Sequence, residues 1–201
     1  MKVKTNPRYH VFLAELKRIR SRFVPWRGIG FRATPLPYAA AVRLLDGMGS
    51  LKFGGRWSAA GTFPAVNVSL APETAIKESS TTFNYYNFAS SDVRPKLVAA
   101  VKLKFAKLLD LTDSDWIGSR SWLRLDELLT EDWRKVNDRG HESQSQAFGR
   151  AAQKAGAEGI LTPSARVAGG INLVYFPKSL SRASHVEIPG QDELERWLRP
   201  E

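Results

Sequence analysis

Four side chains of this 201-residue chain have the types and settings for chemistry on a substrate carrying a phosphate and a sugar. Arg32 stands in Phe31-Arg32-Ala33-Thr34 and Arg56 in Gly54-Gly55-Arg56-Trp57-Ser58. Each offers a planar, permanently charged fork that matches phosphate oxygens. Glu78 closes the run Pro72-Glu73-Thr74-Ala75-Ile76-Lys77-Glu78 and supplies a carboxylate, while Ser164 in Pro163-Ser164-Ala165 supplies a hydroxyl. Gly54 and Gly55 leave bare backbone where a nucleotide can approach closely.

Each of these residues also has an ordinary structural reading. The glycine loop has no Gly-Lys-Ser/Thr and no GxGxxG. It fits a tight turn before a strand, with Arg56 in an ion pair and Trp57 in the core. Arg32 lies in an apolar, extended segment, so its charge is expected to be partly buried and to need a partner: Glu78, Asp46 or a ligand phosphate. Glu73 falls in the first turn of a helix opening at Pro72, where a carboxylate complements the helix dipole. Glu78, surrounded by Ala75, Ile76 and Ser79, has less structural reason to be there and is the better candidate for chemistry. Ser164, after Thr162-Pro163, either satisfies turn backbone or binds ribose or phosphate. No GxSxG elbow surrounds it, which argues against a Ser-His-Asp triad.

The elements that must position these groups are legible in part. Phe12, Leu16, Ile19 and Phe23 recur at helical spacing, predicting an amphipathic helix over 8–23 that carries Lys17, Arg18, Arg20 and Arg22 and ends at Pro25. A second helix is expected from Pro35 to about Leu45, then a loop through the glycines at 47, 49, 54 and 55, a strand from Ala65 to Leu70, and the helix from Pro72. Leu97–Phe105 reads as a strand. Ser143-x-x-Gln146 is a capping box for a helix ending at Gly156. Short strands follow at Gly159–Thr162, Ile171–Phe176 and His185–Ile188. Asp192-x-x-Glu195 opens a last helix expected to bury Leu194, Trp197 and Leu198. Helices and short strands mix without regular βαβ alternation, which gives an α+β fold in a single compact domain.

Composition bounds the partners. The chain has no cysteine, and His10, His141 and His185 stand far apart, so disulfides and metal sites are not expected. The net charge of +10 attracts nucleic acid, acidic proteins or phosphorylated ligands. No run of 18 apolar residues occurs and the first residues have no apolar core of a signal peptide, so a cytoplasmic protein without membrane association is expected. Phe83, Tyr85 and Tyr86 are aromatic groups that can stack on bases or pack in the core.

In order along the chain, Arg32, Gly54-Gly55-Arg56-Trp57, Pro72-x-x-Ala75-x-x-Glu78 and Pro163-Ser164-Ala165 before a strand with Asn172 resemble the pattern of the RES-domain toxins. These are the toxin halves of bacterial toxin–antitoxin pairs and resemble ADP-ribosyltransferase toxins in fold. The family's arginine maps to Arg32 or Arg56, its glutamate to Glu78 and its serine to Ser164. The resemblance divides the chain into residues 1–29, a basic helix of the same domain; 30–178, an NAD-binding catalytic region; and 179–201, a C-terminal strand and helix. It implies that the chain cleaves the nicotinamide–ribose bond of NAD by hydrolysis or phosphorolysis, with no metal. Transfer of ADP-ribose to a protein is the alternative.

On that implied mechanism Arg32 and Arg56 hold the pyrophosphate, Gly55 admits it, Glu78 stabilises the cation forming on the ribose, and Ser164 positions ribose or nucleophile. Where relatives often carry a nicotinamide-holding tyrosine this chain has Asn67, so Trp57 or Tyr85 is expected to supply a stacking face. The implied partner is an Xre-like helix-turn-helix antitoxin, acidic at the contact, with a homodimer of this chain expected inside the complex. The charge of +10 also fits a reading of another class, a basic nucleic-acid-binding protein or ribonuclease toxin.

Overall fold

The computed structural model describes residues 3–80 and 95–198. Helix α1 (Tyr9–Arg18) buries Phe12 and Leu16, and a 3₁₀ turn (Arg20–Arg22) leads directly into strand β1 (Phe23–Pro35). The helix expected over 8–23 is therefore shorter, although Ile19 and Phe23 are buried beside Phe12 and Leu16 as their spacing required. Pro25 does not end it. Pro25 lies inside β1, at a slip of register between Val24 and Trp26, where a residue lacking an N–H is tolerated.

The helix expected from Pro35 is broken into a 3₁₀ turn (Leu36–Tyr38) and α2 (Ala41–Leu45), with Ala40 extended between them. Nor is the glycine-rich stretch a continuous loop. Helix α3 (Met48–Phe53) occupies it, bounded by Gly47 and Gly54, whose φ values of 68° and 76° only glycine adopts without strain. Strand β2 (Val66–Ser69) and helix α4 (Pro72–Ser79) follow as expected, with Pro72 at the helix's first position.

Strand β3 (Lys96–Asp110) is longer than its apolar run. Short helices α5 (Ser114–Gly118), α6 (Leu125–Thr130) and α7 (Trp133–Asp138) lead to α8 (Gln144–Ala155). The capping box of α8 forms in both directions: Gln146 N–H donates to Ser143 Oγ, and Ser143 N–H donates to Gln146 Oε1. Strands β4 (Gly159–Pro163), β5 (Ile171–Tyr175) and β6 (His185–Glu187) precede α9 (Gln191–Trp197). The expected capping box of α9 is absent. Gly190 caps the helix, Glu195 accepts the Ala41 N–H instead, and Trp197 is 65% exposed rather than buried.

The strands make one sheet in the order β1-β2-β5-β4-β3-β6, and β1 also pairs along its length with β3. The ladder thus runs β1, β2, β5, β4, β3 and back to β1, a closed circuit with helices packed outside: an α+β domain. The closure is uneven. β1 and β3 pair from Phe23↔Leu109 to Pro35↔Lys96, whereas β1 meets β2 only at Phe31↔Ser69. Strand alternation splits the apolar residues into two cores. Val66, Val68, Val101, Leu103, Leu173 and Tyr175 fill the inside of the circuit, while Ile160, Val174 and Phe176 meet α1 and α8 through Phe12 and Phe148. Among the described residues no helix is long and apolar enough to cross a membrane.

One buried carboxylate ties the ends of this arrangement. Glu158 accepts the N–H groups of Ala106 and Ser181 at 2.8 and 2.9 Å and the Ser184 hydroxyl at 2.6 Å. Burial alone would raise its pKa, but these hydrogen bonds outweigh burial and hold it below the usual carboxylate range. A depressed carboxylate contributes stability that is present above its unfolded-state pKa and lost as pH falls through the folded value. The wild-type protein is therefore expected to lose stability on acidification below the ordinary glutamate range. Glu158→Gln should be less stable at neutral pH and show a flatter melting-temperature profile there; equal slopes for the two proteins in thermal melts would contradict this.

Candidate functional site

A cleft of about 780 Å³ opens where α3, α4 and α7 meet the strand circuit. That lies within the roughly 300–1,000 Å³ of small-molecule sites. Arg32, Gly55, Arg56, Asn67 and Glu78 line it together, with Pro163 and Ala165 on either side of Ser164. Residues spread over more than half of the chain thus converge on one space. Trp57, expected either in the core or as a stacking face, is buried, with its ring edge-on to Phe148 at 6.0 Å. Tyr85, with Phe83 and Tyr86, lies outside the described residues. The exposed aromatic face in the cleft is instead Phe53, 72% accessible at the end of α3, with Trp133 across Gly54 from it.

Among the described residues, neither arginine makes the ion pair its burial suggested. Arg56 donates through one nitrogen to the carbonyls of Leu128 and Glu131 at 2.9 and 3.0 Å. Arg32 donates to the Asn67 carbonyl at 2.8 Å, bridging β1 and β2 where the ladder is thinnest, and its Nε is enclosed without a partner among the described residues. Burial pushes both guanidinium groups below the usual arginine range. Tyr175 and Asp46 oppose the fall at Arg32; at Arg56 the neighbouring Arg166 deepens it and Glu78 opposes it. Both remain cations at any physiological pH. Two enclosed charges without a bound carboxylate leave the cleft electrostatically suited to an anion.

Glu78 is held from one side. Its Oε1 accepts the Ser164 hydroxyl and the Asn172 side-chain amide, each at 2.6 Å. Its Oε2 accepts nothing among the described residues. Ser164 Oγ in turn accepts the N–H groups of Arg166 and Val167 at 3.1 and 3.0 Å. A hydroxyl has one donor and two lone pairs, so Ser164 is fully engaged. It satisfies turn backbone, one of the two readings its sequence context allowed, and its proton goes to Glu78 rather than to a ribose or phosphate.

The glycine loop is fixed by α8. The Gln146 amide donates to the Gly55 carbonyl at 3.0 Å and to Asn137 at 2.8 Å. Gly149 presses on the loop so closely that an added Cβ would lie 1.9 Å from the Trp57 carbonyl oxygen. Gly55 is different: a Cβ there meets nothing nearer than Ser58 Oγ at 4.0 Å, so the fold itself does not require a glycine.

Sequence reasoning missed Ser69, Phe53, Trp133 and Arg166 as cleft residues, and it placed Asn172 in a motif without giving it a role. Strand alternation could have found Asn172 and Ser69, because they take the opposite face to Leu173 and Val68. The cations of the N-terminal stretch are largely occupied elsewhere. Arg8 donates to Gln144 and the Trp122 carbonyl, Arg20 donates to the Ala155 carbonyl, and Arg22 pairs with Asp113. Among the described residues no group of three or more His, Asp or Glu could hold a metal ion.

A family model described as the RES domain matches residues 25–198. Among solved structures, a chain of the M. tuberculosis MbcT–MbcA toxin–antitoxin complex is similar, with a TM-score of 0.65 and 21% identity over 92% of this chain and 96% of that one. At that identity the likeness is one of fold. No curated protein matches the sequence.

Because the glycine loop rests on α8 without spare room, Gly149→Ala should cost about 1–3 kcal/mol as an overpacked contact. In a domain of this size that lowers the melting temperature by roughly 2–12 °C. Gly55→Ala should melt within about 1 °C of wild type, since the change touches nothing. Similar melting temperatures for Gly149→Ala and wild type would show that the loop is not seated as described.

Proposed function

The chain belongs to the RES domain family, and from that premise we propose that it is an enzyme that consumes NAD by cleaving the nicotinamide–ribose bond, acting as the toxin of a toxin–antitoxin pair. The observation that carries this reading is the pairing, in one cleft, of two cations without bound carboxylates and one carboxylate with an oxygen left over, among the described residues. Arg32 and Arg56 hold the pyrophosphate with charge-assisted hydrogen bonds. Gly55 lets the backbone approach it, which fits a glycine the fold does not need. Asn67, exposed on β2, hydrogen-bonds the nicotinamide carboxamide, and Phe53 supplies an apolar face in place of Trp57.

The C1′–N bond breaks with its electron pair going to nicotinamide, which carries the positive charge in NAD and departs neutral. Positive charge develops on the ribose as in other glycosyl transfers. Oε2 of Glu78 faces that charge and stabilises it. Water or phosphate then bonds to C1′; when water attacks, its proton passes to Glu78 and on to solvent. Ser164 keeps Glu78 in place. No step calls for a metal, because the leaving group needs no Lewis acid. The matching toxin–antitoxin complex supports an antitoxin partner for this chain. We expect an Xre-like one, acidic at its contact because the net charge of +10 favours encounter with such a surface, with two copies of this chain in the complex.

The test is the NAD content of bacteria after induction of the chain, beside Glu78→Ala, with NAD turnover by the purified proteins. Wild type should deplete NAD and stop growth, and Glu78→Ala should be slower by about 100- to 1,000-fold, the usual loss for a group stabilising transition-state charge. Growth arrest with steady NAD would overturn the degradation reading. Labelled ADP-ribose on protein would then identify a transferase, and RNA cleavage insensitive to Glu78→Ala but steeply salt-dependent would identify a nucleic-acid enzyme.

A further inference from the structure

We infer that Asn172 is a positioning residue of this site, and that the relay Ser69–Asn172–Glu78 aims one carboxylate oxygen at the reacting sugar. The inference rests on the proposed role of Glu78. The relay begins in the strand register: Ser69 on β2 lies opposite Asn172 on β5, and Ser69 is buried. The Ser69 hydroxyl donates to Asn172 Oδ1 at 2.7 Å. This orients the amide, because a carboxylate can only accept and the nitrogen end must therefore face Glu78. Asn172 Nδ2 then donates to Glu78 Oε1 at 2.6 Å, beside the Ser164 hydroxyl on the same oxygen.

Both donors fall on Oε1, so they fix the rotation of the carboxyl group and leave Oε2 for the substrate. A carboxylate oriented before reaction needs no rearrangement as charge develops, and this is what makes electrostatic stabilisation effective. The neighbouring elements explain why the relay reaches this group. Pro72 opens α4 soon after Ser69 ends β2, and the helix brings Glu78 back over the strand ends. The Asn172 side chain is hydrogen-bonded to Ser69 and Glu78 rather than to Arg32 or Arg56. Its loss should therefore slow the chemical step and leave NAD binding largely intact.

Asn172→Asp tests this, because the substitution keeps the shape and exchanges a donor for a second carboxylate facing Glu78. At neutral pH kcat should fall roughly 10- to 100-fold, the worth of one charge-assisted hydrogen bond, with KM for NAD little changed. As pH falls and the introduced carboxyl group protonates, it donates where the amide did, so kcat should recover; Asn172→Ala should show no such recovery. Wild-type kcat in Asn172→Asp, or a loss of the same size at every pH, would overturn the relay. If the substitution prevents folding, Ser69→Ala removes the partner of Oδ1 and should lower kcat without raising KM. A second readout needs no turnover: the Asn172 side-chain amide protons in wild type should resonate downfield and exchange slowly, and both properties should vanish in Glu78→Ala. Ordinary shifts and fast exchange in wild type would overturn the relay whatever the protein does to NAD. A wild-type protein inert toward NAD with protected amide protons would sink the proposed function alone.

Discussion

The buried amide of Gln146 is the contact on which the site's architecture depends. One end closes the capping box that starts α8; the other donates to the Gly55 carbonyl. Asn137, on the cleft wall, is bound to the same amide. A polar group this deep is tolerated because its donors and acceptor are all used. The helix start, the glycine loop and the wall are therefore one hydrogen-bonded unit, and Arg56 inherits its place from that unit. Its other supports, the carbonyls of Leu128 and Glu131, come from the segment leading into α8, where Glu131 itself accepts the Gln144 N–H.

The second support is the closed strand circuit, and its weak seam explains Arg32. A strand edge with few ladder bonds leaves carbonyls unsatisfied. Where β1 and β2 meet at a single register pair, the Arg32 guanidinium takes the Asn67 carbonyl that a neighbouring strand would otherwise have bonded. Closing the seam and presenting charge to the cleft are therefore one arrangement, made without a carboxylate on the guanidinium among the described residues.

Much of this was legible in the sequence where a local rule governs. The capping box of α8, the proline start of α4 and the strand at 66–69 depend on neighbouring residues alone, whereas the gathering of Arg32, Arg56 and Glu78 around one cleft follows from no local rule. What was not legible depends on distant partners. Pro25 reads as a helix stop, yet it sits in a strand because β3 lies alongside and the register slips there. Trp57 looks like a stacking group until α8 covers it. Asn172 is one polar residue in a short apolar strand, and only the alignment of β5 with β2 puts it beside Ser69 and under Glu78. Trp197 keeps helical spacing but is left largely uncovered.

The cleft draws its lining from Val3 at one end to Val174 at the other. Lys4 is bonded to Gly140 and Glu142, so even the first described residues take their place only against the segment before α8. On a ribosome such a site has no partial form. When Glu78 emerges it lacks Ser164 and Asn172, which are 86 and 94 residues further on. β1 likewise waits for β3 with its edge unpaired. The order of synthesis thus keeps the unfinished polypeptide from acquiring its complete set of candidate site residues until β5 has been made.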